Sequence, residues 1–313
     1  MFLKSKLAAA LLLLTGCGAL RAQETLTLDD MAKAADEWAR DNLDEHFLRS
    51  LGDVDQRKVE EFLQKLRKEF QGEYVIDLAQ LRASAGPVVA LLESYEETVP
   101  YAVWLKARLD YFEVADQLRL IIPPPTPKAG ELPRPVLVPP TKLREIWIRK
   151  YIERPVPEQA RPFLPQLKSI FAAEKIPPEL VWVAEVESSF DPRARSPVGA
   201  AGLYQLMPAT AKQYGLRTWP LDQRLKLETN ARAAARHLKR LQARYQDWRL
   251  TLAAYNAGEG TVDALLARRK TRSFDAIASR LPAETQLYVP KVEAAIKQRE
   301  GVKLTELPTT PGA

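Results

Sequence analysis

Apolar residues recur at helical spacing along most of this chain. Val59, Phe62, Leu63, Leu66 and Phe70 follow at intervals of three, one, three and four, which sets them on one helix face with Glu, Lys and Arg opposite. A second dense stretch holds Val103, Trp104, Leu105, Leu109, Phe112 and Leu120. The pattern predicts a helical bundle from about residue 28 to residue 120, in which no constellation of reactive side chains stands out and packing is the expected role. Helical spacing returns after residue 143 and persists to about residue 299. Ile176-Pro177-Pro178-Glu179 puts prolines at first helical positions, where a missing amide costs nothing, and predicts a helix over residues 180–188. Residues 230–245 form an amphipathic helix with Ala231, Ala234, Leu238, Leu241 and Tyr245 on one side, and residues 248–257 a short helix ended by Gly258. No stretch sustains the period-two alternation of a strand. The expected architecture is mainly α, with at most a small hairpin near residues 196–205.

Proline breaks this pattern in one place. Residues 123–140 hold eight of the 24 prolines, a density that locks φ, removes amide donors and predicts an extended, semi-rigid segment, equally a spacer or a strap packed across the next domain. The expected organisation is a signal peptide over residues 1–16, a helical unit over 24–122, a proline-rich linker over 123–142, a second helical domain over 143–300 and a tail over 301–313. Lys4 and Lys6 followed by an apolar run over 7–14, too short to span a bilayer, read as an export signal. The next residues, Leu14-Thr15-Gly16-Cys17, resemble the lipobox of bacterial lipoproteins. Cys17 is the single cysteine and cannot form an internal disulfide, so a lipid acceptor that tethers the chain to a membrane is the expectation. The alternative is an ordinary signal cut near Ala22, with Cys17 discarded. Either way the mature chain works outside the cytoplasm.

Composition narrows the field further. An apolar share of 46% with 27% charged residues excludes wholesale disorder. The net charge of +6 includes Lys4 and Lys6, so the mature surplus is mild. It suits an acidic polymer or an anionic surface, and no basic run interleaved with aromatics argues for nucleic acid. His46 and His237 stand in different units with no ligand-type cluster around either, so neither a metal nor a cofactor is expected.

The side chain that points to chemistry is Glu187. At 100° per residue Leu180, Val183 and Ala184 share its side of the predicted helix, while Glu185 points almost directly away. A carboxyl buried on an apolar face resists ionisation and rises towards the range of a general acid. Alone, the pattern equally fits a buried ion pair with Arg193 or Arg195. The surrounding text adds to it. Glu187-Ser188, then residues 196–208 with Gly202-Leu203-Tyr204-Gln205-Leu206-Met207, then Ala254-Tyr255-Asn256-Ala257-Gly258, then Glu284-Thr285-Gln286-Leu287-Tyr288-Val289-Pro290 occur in an order and spacing that resemble the lytic transglycosylase (SLT domain) family, in particular its membrane-bound D-type branch. The resemblance covers roughly residues 145–297.

That resemblance implies a lysozyme-like α-helical fold that cleaves the MurNAc-β-1,4-GlcNAc bond of peptidoglycan without water and leaves 1,6-anhydro-MurNAc ends. It implies one glutamic acid, Glu187 here, serving as acid and then as base, in the periplasm and with an outer-membrane anchor at Cys17. Ordinary glycosidases use two carboxyls roughly 5–9.5 Å apart. No convincing second one is legible: Glu185 faces away, Asp191 reads as a turn residue, and Glu259 follows the helix-ending Gly258. Other readings of the same text are a hydrolytic muramidase of the goose-type lysozyme kind and a non-catalytic wall-binding protein.

The remaining site residues are carried over from the family, each beside a plainer role. Ser188 orients the acid or ends the helix. Ser196 contacts the glycan or opens a turn before Pro197. Gly202 permits close approach of chain or sugar, and the Gln205 amide bonds an N-acetyl group. Tyr204 stands where the family usually has methionine, next to Gln205 and near Met207, and faces either the cleft or the core. Tyr255 and Asn256 line the cleft, and the Tyr288 hydroxyl reaches the acid. For each tyrosine core packing is the alternative. Glu284 is expected to be structural, holding the last helix in place.

Overall fold

The computed structural model describes residues 41, 43–50, 56–123 and 136–309; Cys17, the export segment and most of the proline-rich segment lie outside the described residues. Among the described residues five α-helices of known bounds precede the proline-rich segment: α1 (Glu45–Ser50), α2 (Gln56–Gln71), α3 (Arg82–Glu93), α4 (Val99–Lys106) and α5 (Leu109–Ile121). Nine follow: α6 (Pro140–Ile152), α7 (Leu164–Ala173), α8 (Val183–Ser188), α9 (Pro208–Gln213), α10 (Leu227–Tyr245), α11 (Trp248–Ala257), α12 (Glu259–Arg269), α13 (Phe274–Ile277) and α14 (Ala283–Glu300). The mainly α architecture is as the periodicity predicts. Among the described residues the only β pairing is isolated bridges, from Ala201 to Arg195 and to Leu206, where the small hairpin was expected.

The α2 stripe is buried as its spacing requires, Val59, Phe62, Leu63, Leu66 and Phe70 all facing inward. Its aromatic end continues through the interior: Phe70 stacks on Phe112 at 6.4 Å, and Tyr111 meets Trp147 edge-on at 5.9 Å. In this way α2 and α5 share one apolar core with α6, across the proline-rich segment. The helix at the centre is α14, which packs against α6, α11 and α2. Leu287, Tyr288, Val289, Val292, Ala295 and Ile296 bury it on nearly every side, so its sequence shows little amphipathic pattern.

Polar contacts fix how the two sides meet. Three backbone amides bond across: Asp44 to the Pro197 carbonyl (2.7 Å), Arg195 to that of Pro100 (3.1 Å) and Ala283 to that of Gly72 (2.7 Å). On α14 the fully buried Lys291 ammonium donates to the Ala107 carbonyl (2.7 Å) and to Asp110 (2.8 Å), and lies over the faces of Tyr111 and Trp147. Burial pulls its pKa from 10.5 down to about 8, against the opposing pull of Asp110. These bonds place residues 104–111 directly against the helices that carry Glu187 and Tyr288.

Candidate active site

The predicted helix over 180–188 divides in two. Its proline-led start is a tight 3-10 stretch, Pro178–Trp182, and only Val183–Ser188 is α-helical. Ser189 (φ 52°) and Phe190 (φ 64°) then leave in the left-handed region, their amides returning to the carbonyls of Glu185 (3.1 Å) and Ala184 (3.2 Å). Two consecutive non-glycine residues in that region are strained, and packing holds them: Phe190 is fully buried edge-on to Trp182 at 5.6 Å. This exit pins the short helix by its end and fixes where Glu187 points.

Glu185 and Glu187 point apart as their spacing predicts, yet both are buried, 1% and 4% exposed. Their surroundings differ. Glu185 is gripped by Arg299 through two bonds of 2.9 and 3.1 Å, with Arg154 at 3.6 Å, a structural ion pair. Glu187 has no such grip. Burial raises its pKa from 4.5 to about 7, a rise that Arg108 and Tyr288 oppose and Glu284 reinforces. The buried Tyr288 phenol lies beside this carboxyl without a closed hydrogen bond, and burial followed by the charge of Glu187 holds it well above the usual phenol range.

The arginines considered as partners for Glu187 are occupied elsewhere, Arg193 with Asp191 (3.0 Å) and Arg195 with Asp222 (3.3 Å). The cation that does approach is Arg108, between α4 and α5. Its Nη2 lies 3.5 Å from Glu187 Oε2, its Nη1 donates to the Glu187 and Trp104 carbonyls (3.3 Å each), and its Nε donates to Glu284 at 2.9 Å. The guanidinium also stacks on Trp104, 4.4 Å from the ring centroid. Arg108 escaped the reading of helix faces, while Trp104 was expected only to pack in the core and Glu284 only to hold the last helix. The neighbours of Arg108, Lys106 and Asp110, are charged as well, so nothing in residues 104–112 singled it out.

The motif between residues 196 and 208 is folded by its own polar groups. Ser196 Oγ accepts from the Ala200 amide (2.8 Å), the turn role open to it. Gly202 has φ +84°, and a Cβ there would sit 2.0 Å from the Arg224 carbonyl oxygen, so the close approach is by chain. Gln205 spends its amide NH2 on the carbonyls of Ala194 (3.0 Å) and Gly202 (2.8 Å), while its buried Oε1 has no partner among the described residues. Tyr204 lies in the core against Phe171, its hydroxyl donating to the Val181 carbonyl. Half-buried Tyr255 donates to the Tyr204 carbonyl (2.6 Å), and Asn256 Oδ1 accepts from Thr285 (2.6 Å).

Ser188 does not reach the Glu187 carboxyl. Its hydroxyl donates to the carbonyls of Leu203 (2.8 Å) and Ala184 (3.2 Å), tying α8 to the motif loop. Ser188→Ala is therefore expected to cost about 1–3 kcal/mol in denaturant melts, the penalty of an orphaned buried acceptor. It should leave the Glu187 titration midpoint where it is; a displaced midpoint would restore the orienting role.

Beside this cluster runs a groove of about 390 Å³, with Leu63, Leu66, Phe70 and Trp104 on one wall and Pro197, Val198 and Met207 on the other, and Glu284 also in its lining. Val198 and Met207 are exposed, 42% and 43%. Glu187 is not in the lining; it connects to the groove through Arg108, which contacts both Trp104 and Glu284. The N-terminal helices thus form one side of a groove that adjoins the Glu187 cluster.

Residues 170–278 match the family described as Transglycosylase SLT domain. The chain is 38% identical over 161 residues to membrane-bound lytic murein transglycosylase D of Escherichia coli strain K12, covering 49% of this chain and 35% of that one. It is 36% identical over 121 residues to the soluble lytic murein transglycosylase of the same strain, covering 36% and 19% respectively. The matched parts therefore span 35% and 19% of these relatives' lengths. Among solved structures, the 70 kDa soluble lytic transglycosylase of Escherichia coli overlaps 89% of this chain and 48% of its own, with a TM-score of 0.41 and 19% identity.

Proposed function

With a transglycosylase SLT domain over residues 170–278 as the premise, we propose that this chain is a peptidoglycan lytic transglycosylase that cuts the MurNAc-β-1,4-GlcNAc bond with Glu187 as its single acid and base. The observation that carries this reading is a carboxyl 4% exposed and lifted to about 7, within the matched segment. Near neutral pH such a group populates both forms, as one residue must if it is to give a proton and later take one. The neutral carboxyl protonates the bridging oxygen as the C1–O bond breaks. The resulting carboxylate then accepts the proton of the muramoyl 6-hydroxyl as that oxygen bonds to C1, which closes the 1,6-anhydro ring with no water consumed. Glu187 ends protonated, ready for another turn.

The site residues around the acid take the following parts. Tyr288 positions the carboxyl and Gln205 offers its free Oε1 to an N-acetyl N–H, while Met207 and Val198 line the groove along which the glycan lies. Ser196, Gly202, Tyr204 and Ser188 hold the loop that presents Gln205, Tyr255 braces it from α11, and Asn256 ties α11 to α14 through Thr285. Lipid attachment at Cys17 and an outer-membrane, periplasmic location complete the reading; they rest on the sequence, since Cys17 lies outside the described residues. Digestion of purified sacculi followed by mass spectrometry of the muropeptides is the test. Ends one water lighter than reducing ends are expected. Water-added ends would replace this reading with a muramidase, and intact sacculi with a binding protein.

A further inference from the structure

Arg108 and Glu284 both lie outside the matched segment of residues 170–278, yet both act on the Glu187 carboxyl. We propose that Arg108 is a positioning residue, a buried guanidinium shared between Glu284 and Glu187 that leans towards Glu187 whenever the acid has given up its proton. The inference rests on the acid and base role proposed for Glu187.

The geometry is that of a divided cation. To Glu284 the bond is closed at 2.9 Å, while to Glu187 the separation is 3.5 Å, the outer limit of a hydrogen bond. A fully engaged arginine would keep Glu187 ionised and unable to donate. With no arginine, the carboxylate left after donation would be an unpaired charge at a 4% exposed position. Sharing avoids both extremes. The guanidinium is itself 4% exposed, so water cannot stand in for it, and its plane is held by Trp104 and by the Trp104 and Glu187 carbonyls. A small tilt about that anchorage exchanges one carboxylate for the other. Glu284, with 23% of its side chain exposed in the groove, can recover the lost bond from solvent. The other ionisable groups that face Glu187 are Tyr288, Tyr255 and Tyr111, all phenols held well above the usual range by burial and so neutral throughout. Arg108 and Glu284 are therefore the charges that set its ionisation.

Carboxyl-carbon NMR titration of Glu187 in the full chain tests this without substrate, beside the pH profile of sacculus digestion. Arg108→Met should raise the midpoint by about one to three pH units, and Glu284→Gln should lower it. The alkaline limb of kcat should move the same way in each variant, and Arg108→Lys should bring both readouts back towards the parent. Shifts of opposite sign support the proposal; midpoints that stay put, or move in one direction together, overturn it. If Arg108→Met does not fold, the downward shift in Glu284→Gln decides alone. Because the titration needs no turnover, a chain that titrates as expected but releases no fragments would sink the glycan-cleaving reading and leave the charge sharing intact.

Discussion

Glu187→Gln is expected to remove glycan cleavage, by about a thousandfold or more, and at the same time to make the folded chain more stable above neutral pH. The first effect follows because the amide neither donates the proton nor takes one back. The second follows from the sign of the shift. Glu187 is raised from 4.5 to about 7, so the folded chain holds a proton there that the unfolded chain has already lost between those values. Stability from this group is intact below pH 4.5 and is lost as pH rises through 7. At about 1.4 kcal/mol per unit, the loss reaches roughly 3 kcal/mol by pH 8. Glutamine carries no charge and escapes it. Guanidinium melts at pH 4 and pH 8 should show parent and variant together at the lower pH and apart at the higher, with the variant ahead. A variant no more stable than the parent at pH 8 would mean that the carboxyl is not desolvated, and the acid role would lose its physical basis.

Gly202→Ala is expected to be the most damaging small change in the motif loop, costing about 4 kcal/mol or more. The added methyl would lie 2.0 Å from the Arg224 carbonyl oxygen and 2.5 Å from Asn230 Nδ2, at a φ of +84° that alanine resists. Neither neighbour can give way cheaply. The Arg224 guanidinium clamps the carbonyls of Gly199 (2.6 Å) and Leu206 (2.8 Å), and Asn230 spans the Tyr204 amide (2.9 Å) and the Ala201 carbonyl (3.2 Å). Moving either one releases the loop that carries Gln205. Gly260→Ala is the control, since it lies within α12 with nothing within 4 Å, and it should leave stability unchanged or improve it by up to about 1 kcal/mol. Equal melting of the two variants would show that the loop yields and that Gly202 is not held by close packing.

Both predictions concern residues that the chain announces openly. Glu187 interrupts an apolar face, and a glycine at a crowded turn has few substitutes. The helices were legible for the same local reason: a stripe such as Val59 to Phe70 needs only its own neighbours to declare itself, and all five residues are buried. What depended on docking was not legible. Arg108 reads as an ordinary polar position until α5 meets α8 and α14, because its partners lie 79 and 176 residues away. Glu284, expected only to hold its helix, turns out to face the same guanidinium as Glu187. Tyr204 could not be assigned to cleft or core from spacing, since the answer depends on Phe171. The single helix expected over 180–188 splits because prolines tighten its first turn and two left-handed residues close its end.

The central helix α14 carries Glu284, Tyr288 and Lys291, and all three face residues 104–111 or Glu187. Contacts this distant in sequence close late, because a folding chain must first give up the entropy of the intervening loops. Without them the burial that raises Glu187 is incomplete. Reactivity is thus a property of the finished tertiary structure, acquired in the same step as its cohesion. On the proposed reading, a partly assembled molecule is chemically silent.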